Sequence, residues 1–145
     1  MTKDQNDFAG TKVALIYKDK VLTILRDNKP TISNPNMWDF AGGEREIGED
    51  RFQTAERETF EELAIRISKQ DVIWQKDYPA ILDPTKTAAF MVAKIDQDQI
   101  DNIVFGDEGQ KWLLMIYQEF LDHPQAIPEM KQRLADFLSV KQTKL

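Results

Sequence analysis

With 145 residues, 41% of them hydrophobic and 30% charged, the chain suits one domain able to bury a sizeable core. A formal charge of -6 opposes a general grip on nucleic acid, whose phosphates are held by clustered Lys and Arg, so stable nucleic-acid binding is not expected. The absence of cysteine excludes disulfides and thiolate-ligated zinc and permits a reducing compartment.

The first ten residues are polar and show no signal-peptide core, and no apolar run approaches the roughly 20 residues of a membrane span. A soluble, cytoplasmic protein without a membrane partner is expected. Residues 1–6 read as a loose end. Residues 12–17 and 21–25 are β-rich runs around the polar turn Lys18-Asp19-Lys20, which predicts a hairpin. Asn, Pro, Ser and Thr dominate residues 27–36, a loop that leads to a buried run over residues 37–41, expected to stop at Gly42-Gly43.

A charged, glycine-bounded loop over residues 43–48 feeds a helix predicted over residues 50–65. Phe52, Ala55, Thr59 and Leu63 recur at helical spacing and build one buried stripe. At about 100° per residue, Glu58, Glu61 and Glu62 fall within an arc of roughly 100° on another side. Like charges so spaced repel and need a cation to hold them near one another, so a divalent metal site is the first inference.

Three further strands are predicted over residues 72–77, 87–95 and 111–115, with a short helix over residues 116–121. Pro128 starts an amphipathic helix through Leu138 that packs Met130, Leu134, Phe137 and Leu138. Strands interleaved with two main helices predict an α/β (α+β) class: a mixed β-sheet sandwiched between α-helices, as a single domain over residues 1–145. His123, the only histidine, sits beside Pro124 as a solvated or capping residue, so a Ser-His-Asp or Cys-His nucleophile has little support.

The central spacing runs Gly43, five residues, Glu49, seven residues, then Arg57-Glu58-Thr59-Phe60-Glu61-Glu62-Leu63-Ala64-Ile65. This resembles the Nudix hydrolase signature at seven of nine specified positions, including all five charged ones. Thr59 departs from an aliphatic position, at a cost if its hydroxyl finds no carbonyl. Ala64 replaces the helix-closing glycine, and a left-handed end costs a non-glycine residue about 1 kcal/mol. Either that strain is tolerated or the helix continues toward Ser68.

The resemblance covers most of the chain. Trp38-Asp39-Phe40-Ala41-Gly42-Gly43 is similar to the family's aromatic-Pro-Gly-Gly segment, with Ala41 in the proline's place. Gly106-Asp107-Glu108-Gly109-Gln110, followed by Trp112, is similar to the segment that brings one more glutamate to the metal in MutT-like members.

The resemblance implies hydrolysis of a pyrophosphate bond in a nucleoside diphosphate linked to another moiety, with Mg²⁺ as cofactor and Mn²⁺ as its substitute. Glu61 and Glu62 are the expected primary metal ligands, with Glu108 and a carbonyl of Gly42 contributing. Glu58 binds a second metal or accepts the water's proton, and is favoured over Glu108 as the base. Arg57 and Glu49 complete the catalytic set by orienting the acids.

Substrate contacts are expected from Gly43 and Arg26, the latter read equally as a solvated strand-end charge. Trp38 and Phe40 either stack on a nucleobase or, by preference, pack in the core. A (deoxy)nucleoside triphosphate is the substrate to test first. ADP-ribose, a dinucleoside polyphosphate or a nucleotide sugar is the alternative, and a non-catalytic nucleotide sensor is the reading from another class. Isoleucine in Ala126-Ile127, where sanitising members carry a base-reading asparagine, counts against 8-oxo-guanine. A monomer and a homodimer are both compatible with the sequence.

Overall fold

Alternation along β1 (Phe8–Tyr17) sends Val13 and Leu15 to one face of a sheet and Ala14 and Ile16 to the other, all almost fully buried. A strand buried on both faces needs cover on both. The computed structural model, which describes residues 8–143, supplies it from two helical layers. The predicted loose end at residues 1–6 lies outside the described residues.

β1 turns at Lys18, which adopts φ 55°, into β2 (Lys20–Leu25), the expected hairpin. β3 (Trp38–Asp39) and β4 (Ala41–Glu44) follow the long loop, and α1 (Arg51–Leu63) follows them. β5 (Val72–Pro79), β6 (Thr87–Lys94) and α2 (Gln97–Asp101) come next. β7 (Lys111–Ile116), α3 (Tyr117–Asp122) and α4 (Pro128–Thr143) close the chain.

Among the described residues seven strands form one mixed sheet, ordered β3-β2-β1-β6-β5, with β4 pairing β1 and β7 pairing β2. The β1 and β6 pairing is parallel and the others are antiparallel. Phe120 of α3 and Met130, Leu134 and Phe137 of α4 pack with Ala14, Ile16, Phe90 and Val92. Ala55 and Leu63 of α1 and Ile100 of α2 pack with Val13, Leu15, Met91 and Ala93 on the opposite face. The expected helix-sheet-helix sandwich is the one observed.

One feature of the pairing opens the sheet. β1 bonds β2 only at Ile16 and Tyr17, then gives the same edge to β4 over residues 10–13. β2 and its neighbour β3 therefore splay away from β1, and the gap between them becomes the mouth of a cavity.

Several expected boundaries move. β1 begins at Phe8 rather than at Lys12, because β4 and β6 pair its first half. The run through residues 37–41 breaks at Phe40 and continues through Gly42-Gly43 to Glu44 instead of stopping at the glycines. The last helix runs on to Thr143. The short α2, capped by Asp96 and Gln99 in a reciprocal capping box, was not expected.

Candidate active site

Asp50 accepts a hydrogen bond from the Gln53 amide, and the Gln53 side chain accepts from the Asp50 amide, so α1 starts from a full capping box. Thr54, Ala55, Thr59 and Leu63 form its buried side, while Phe52 is half-buried beside them. The helix ends at Leu63, with Ala64 held left-handed at φ 59° and its amide donating to the Phe60 carbonyl. The strain at the missing glycine is therefore tolerated rather than avoided by a longer helix. The Thr59 hydroxyl is buried with no hydrogen-bond partner among the described residues.

The segment after α2 caps the helix end from outside. Val104 donates to the Leu63 carbonyl at 3.1 Å and Gly106 to the Glu62 carbonyl at 2.9 Å, and Gln110 donates to Leu25 at 2.8 Å. These bonds satisfy carbonyls that the helix leaves open, and they carry Glu108 to the cavity wall.

Arg57 organises the acids. Its Nε donates to Glu49 Oε2 at 2.7 Å, and its Nη1 donates to Glu58 Oε1 at 2.8 Å and to Glu61 Oε1 at 2.9 Å. Its Nη2 reaches the Glu44 carbonyl at 2.8 Å, which ties α1 to the end of β4. The hydrogen bond from Arg57 holds Glu49 at a pKa of about 2, and that partnership raises the Arg57 value in return.

Glu62 points to β4, where its Oε1 accepts the Gly42 amide proton at 2.8 Å. Burial pushes its pKa up to about 8, against the lowering influence of Lys12 and the Gly42 amide. Burial also raises Glu58. Its carboxylate lies where a Gly43 side chain would begin, since a Cβ there would stand 2.6 Å from Glu58 Oε2.

Glu58, Glu62 and Glu108 line a cavity of 610 Å³, together with Gly42, Gly43, Arg26 and Lys12. Lys12 Nζ donates to Asp39 Oδ2 at 2.8 Å, and Arg26 Nη1 meets the same oxygen at 3.3 Å. Arg26 is thus held at the cavity by Asp39 and by the Ser33 carbonyl, which its Nε reaches at 2.9 Å, rather than left as a solvated strand end.

Glu61, expected as a primary metal ligand, does not line the cavity. Its side chain is 55% exposed and turns to Arg57 on the outer side of the helix. Trp38 and Phe40 are 6% and 1% exposed and pack in the core, as the preferred reading has them, with Phe40 also at the cavity wall. Phe40 stacks on Phe120 at 4.6 Å and Trp38 meets His123 edge-on at 6.1 Å. His123 Nδ1 accepts from the Gln125 amide at 3.0 Å, a capping role. Ala126 and Ile127 are buried.

Sequence reading missed Lys12 and Asp39 as cavity residues. The available signal was a charge inside an apolar run, Lys12 on the same strand face as Ala14 and Ile16, and Asp39 between Trp38 and Phe40.

Desolvated carboxylates that hold protons more tightly than usual favour a hard dication, and an all-oxygen donor set is what Mg²⁺ prefers. The residues present fit such an ion in chemistry. Among the described residues no three acids stand together as a finished cage; Arg57 and the Gly42 amide hold them as they are.

The family model described as NUDIX domain matches residues 9–139. The chain belongs to the Nudix family. No curated protein sequence matches it. Among solved structures, the MutT protein of Methanosarcina mazei Go1 superposes with a TM-score of 0.72 at 14% identity, covering 97% of this Nudix chain and 99% of that one. An Ap4A hydrolase of C. elegans gives 0.67 at 22% identity over 90% of this chain and 98% of that one.

A bifunctional NMN adenylyltransferase/ADP ribose pyrophosphatase of Francisella tularensis, complexed with AMP and a manganese ion, gives 0.69 at 18% identity. The match covers 95% of this chain and only 43% of that protein. At these identities the superpositions speak for the fold, and membership of the family rests on the NUDIX-domain match. No helix among the described residues is long and apolar enough to cross a membrane.

Proposed function

We propose that this Nudix enzyme cleaves a pyrophosphate bond in a nucleoside diphosphate linked to another group, using Mg²⁺ or, in its place, Mn²⁺. The observation that carries the reading is that Glu58 and Glu62 line the 610 Å³ cavity together with the cations Lys12 and Arg26. A divalent ion there neutralises phosphate charge and acidifies the attacking water. Glu62 and Glu108 are assigned to hold it with the Gly42 carbonyl; Glu61, turned to Arg57, would join them only by rotating toward the cavity, and Glu58 either binds a second ion or accepts the water's proton.

Glu58 is assigned as proton acceptor ahead of Glu108. Burial raises its pKa, which suits a proton acceptor, and Arg57 fixes its orientation through one oxygen. Glu49 holds Arg57 and touches no cavity atom, which suits a positioning role. Lys12 and Arg26 meet phosphate oxygens, and Gly43 leaves room for their approach. The simplest substrate of this class is a (deoxy)nucleoside triphosphate; ADP-ribose, dinucleoside polyphosphates and nucleotide sugars are its larger members.

The test is a panel of these compounds incubated with Mg²⁺ or Mn²⁺, with products separated by charge. Metal-dependent release of a nucleoside mono- or diphosphate supports hydrolysis. Absence of turnover with both metals across the panel overturns it in favour of a nucleotide sensor.

A further inference from the structure

A second cavity, of 470 Å³, adjoins the first and shares Lys12, Gly43 and Glu44 with it as a common wall. Its far side comes from the loop between β5 and β6 and from the first turns of α4. Nothing in the catalytic reading uses it.

Arg133 lies in this wall at 3% exposure. Its guanidinium sits 4.8 Å from the Tyr78 ring, and Nη2 donates to the Pro79 carbonyl at 3.3 Å. Among the described residues the guanidinium makes no other hydrogen bond and no ion pair within 4 Å. An arginine carries five N–H donors, so a buried one with a single long hydrogen bond retains capacity for an anion.

Lys86 and Arg45 line the same cavity, and with Lys12 and Arg133 they outnumber the acids Glu44 and Asp83. This concentration of cations stands against a chain whose net charge is -6. The rim is apolar. Leu82 is 77% exposed and Ile81 37%. Their loop is closed on itself by Ala80 to Lys86 and Lys86 to Asp83 hydrogen bonds, so both side chains are offered from a fixed turn.

We propose that this cavity receives the second half of a two-headed substrate, a bulky sugar or nucleoside esterified to the far phosphate. The proposal rests on the hydrolase reading for the first cavity and narrows its substrate class. Lys12 and Gly43, which border both cavities, lie between the two halves of such a substrate. Arg133 and Lys86 take the far phosphate, and Ile81 and Leu82 cover an apolar face of the sugar or base. A nucleoside triphosphate has no second sugar or base to lie against Ile81 and Leu82.

The experiment measures equilibrium binding to the full chain with Mg²⁺. One probe is a methylene-bridged, uncleavable dinucleoside polyphosphate, and the other a methylene-bridged nucleoside triphosphate. The two-headed probe is expected to bind about tenfold more tightly. Lys86→Glu and, separately, Arg133→Met are expected to reduce that ratio by about fivefold or more. Lys86 is exposed, so its variant tests the site even if Arg133→Met fails to fold.

Equal affinities for the two probes, or a ratio that Lys86→Glu leaves intact, overturn the second site. Tight binding of the two-headed probe without turnover of its cleavable parent would instead overturn the hydrolase reading and leave the second site standing.

Discussion

Glu62 accepts the amide proton of Gly42 at 2.8 Å, which joins the helix that carries the acids to the strand that carries the glycines at the cavity itself. Gly42 holds φ 120°, and a side chain there would run into the Thr11 carbonyl. The amide that meets Glu62 is thus set by a backbone shape that glycine alone adopts without strain.

Glu62→Gln is expected to weaken Mn²⁺ binding by about tenfold or more and to remove most turnover, while the fold survives. Titration of the variant with Mn²⁺, followed by magnetic resonance, checks the first; a folded circular-dichroism spectrum checks the last.

The same variant has a pH signature in the metal-free protein. The folded-state pKa of Glu62, about 8, lies above the ordinary 4.5. Between those values the folded chain keeps a proton that the unfolded chain has released, so stability falls as pH rises through the window and levels above it. Urea midpoints measured in EDTA across that range are expected to fall for the wild type and to fall less for Glu62→Gln.

Arg57→Gln removes the common partner of Glu49, Glu58 and Glu61 and is expected to cost about 2 kcal/mol. Glu49 titrates at about 2 when folded and 4.5 when free, so its contribution is complete above pH 4.5 and is lost as pH falls toward 2. The acid-unfolding limb of the variant is expected to flatten in that interval, measured by denaturation midpoints at successive pH values.

The two glycines separate shape from chemistry. Gly42→Ala is expected to destabilise by about 3 kcal/mol or more, because backbone blocks the new Cβ. Gly43→Ala meets the Glu58 carboxylate instead, so a small shift in melting temperature with a loss of turnover of about tenfold or more is expected.

Ala64→Gly releases the left-handed strain at the end of α1 and is expected to stabilise by roughly 1 kcal/mol. Thr59→Val removes the unpartnered buried hydroxyl, with a gain of similar size, about 1 kcal/mol. Thermal melts of both variants check these signs.

The acids of α1 were legible in the sequence because a helix converts spacing into direction, and the apolar stripe through Ala55, Thr59 and Leu63 fixed which side remained for them. The sandwich was legible for the same reason, from strand alternation and from the stripe on α4. Lys12 and Asp39 were not, since their meeting depends on β1 passing its edge from β2 to β4, a pairing no local pattern encodes. Glu61 does not line the cavity although Arg57 Nη1 bonds it and Glu58 alike, a difference in direction that spacing alone does not decide. α2 has five residues and one buried side chain, too few for a periodic signal. The cavity around Arg133 draws on four separate segments, residues 8–12, 43–45, 80–88 and 130–133, and has no motif.

The most direct test is turnover of the nucleotide panel by wild type and Glu62→Gln, each with Mg²⁺, with Mn²⁺ and with EDTA. Metal-dependent cleavage of a pyrophosphate bond by the wild type, abolished by EDTA and nearly absent in the variant, is the predicted result. Cleavage that persists in EDTA, or that Glu62→Gln leaves intact, would contradict the assignment of this cavity.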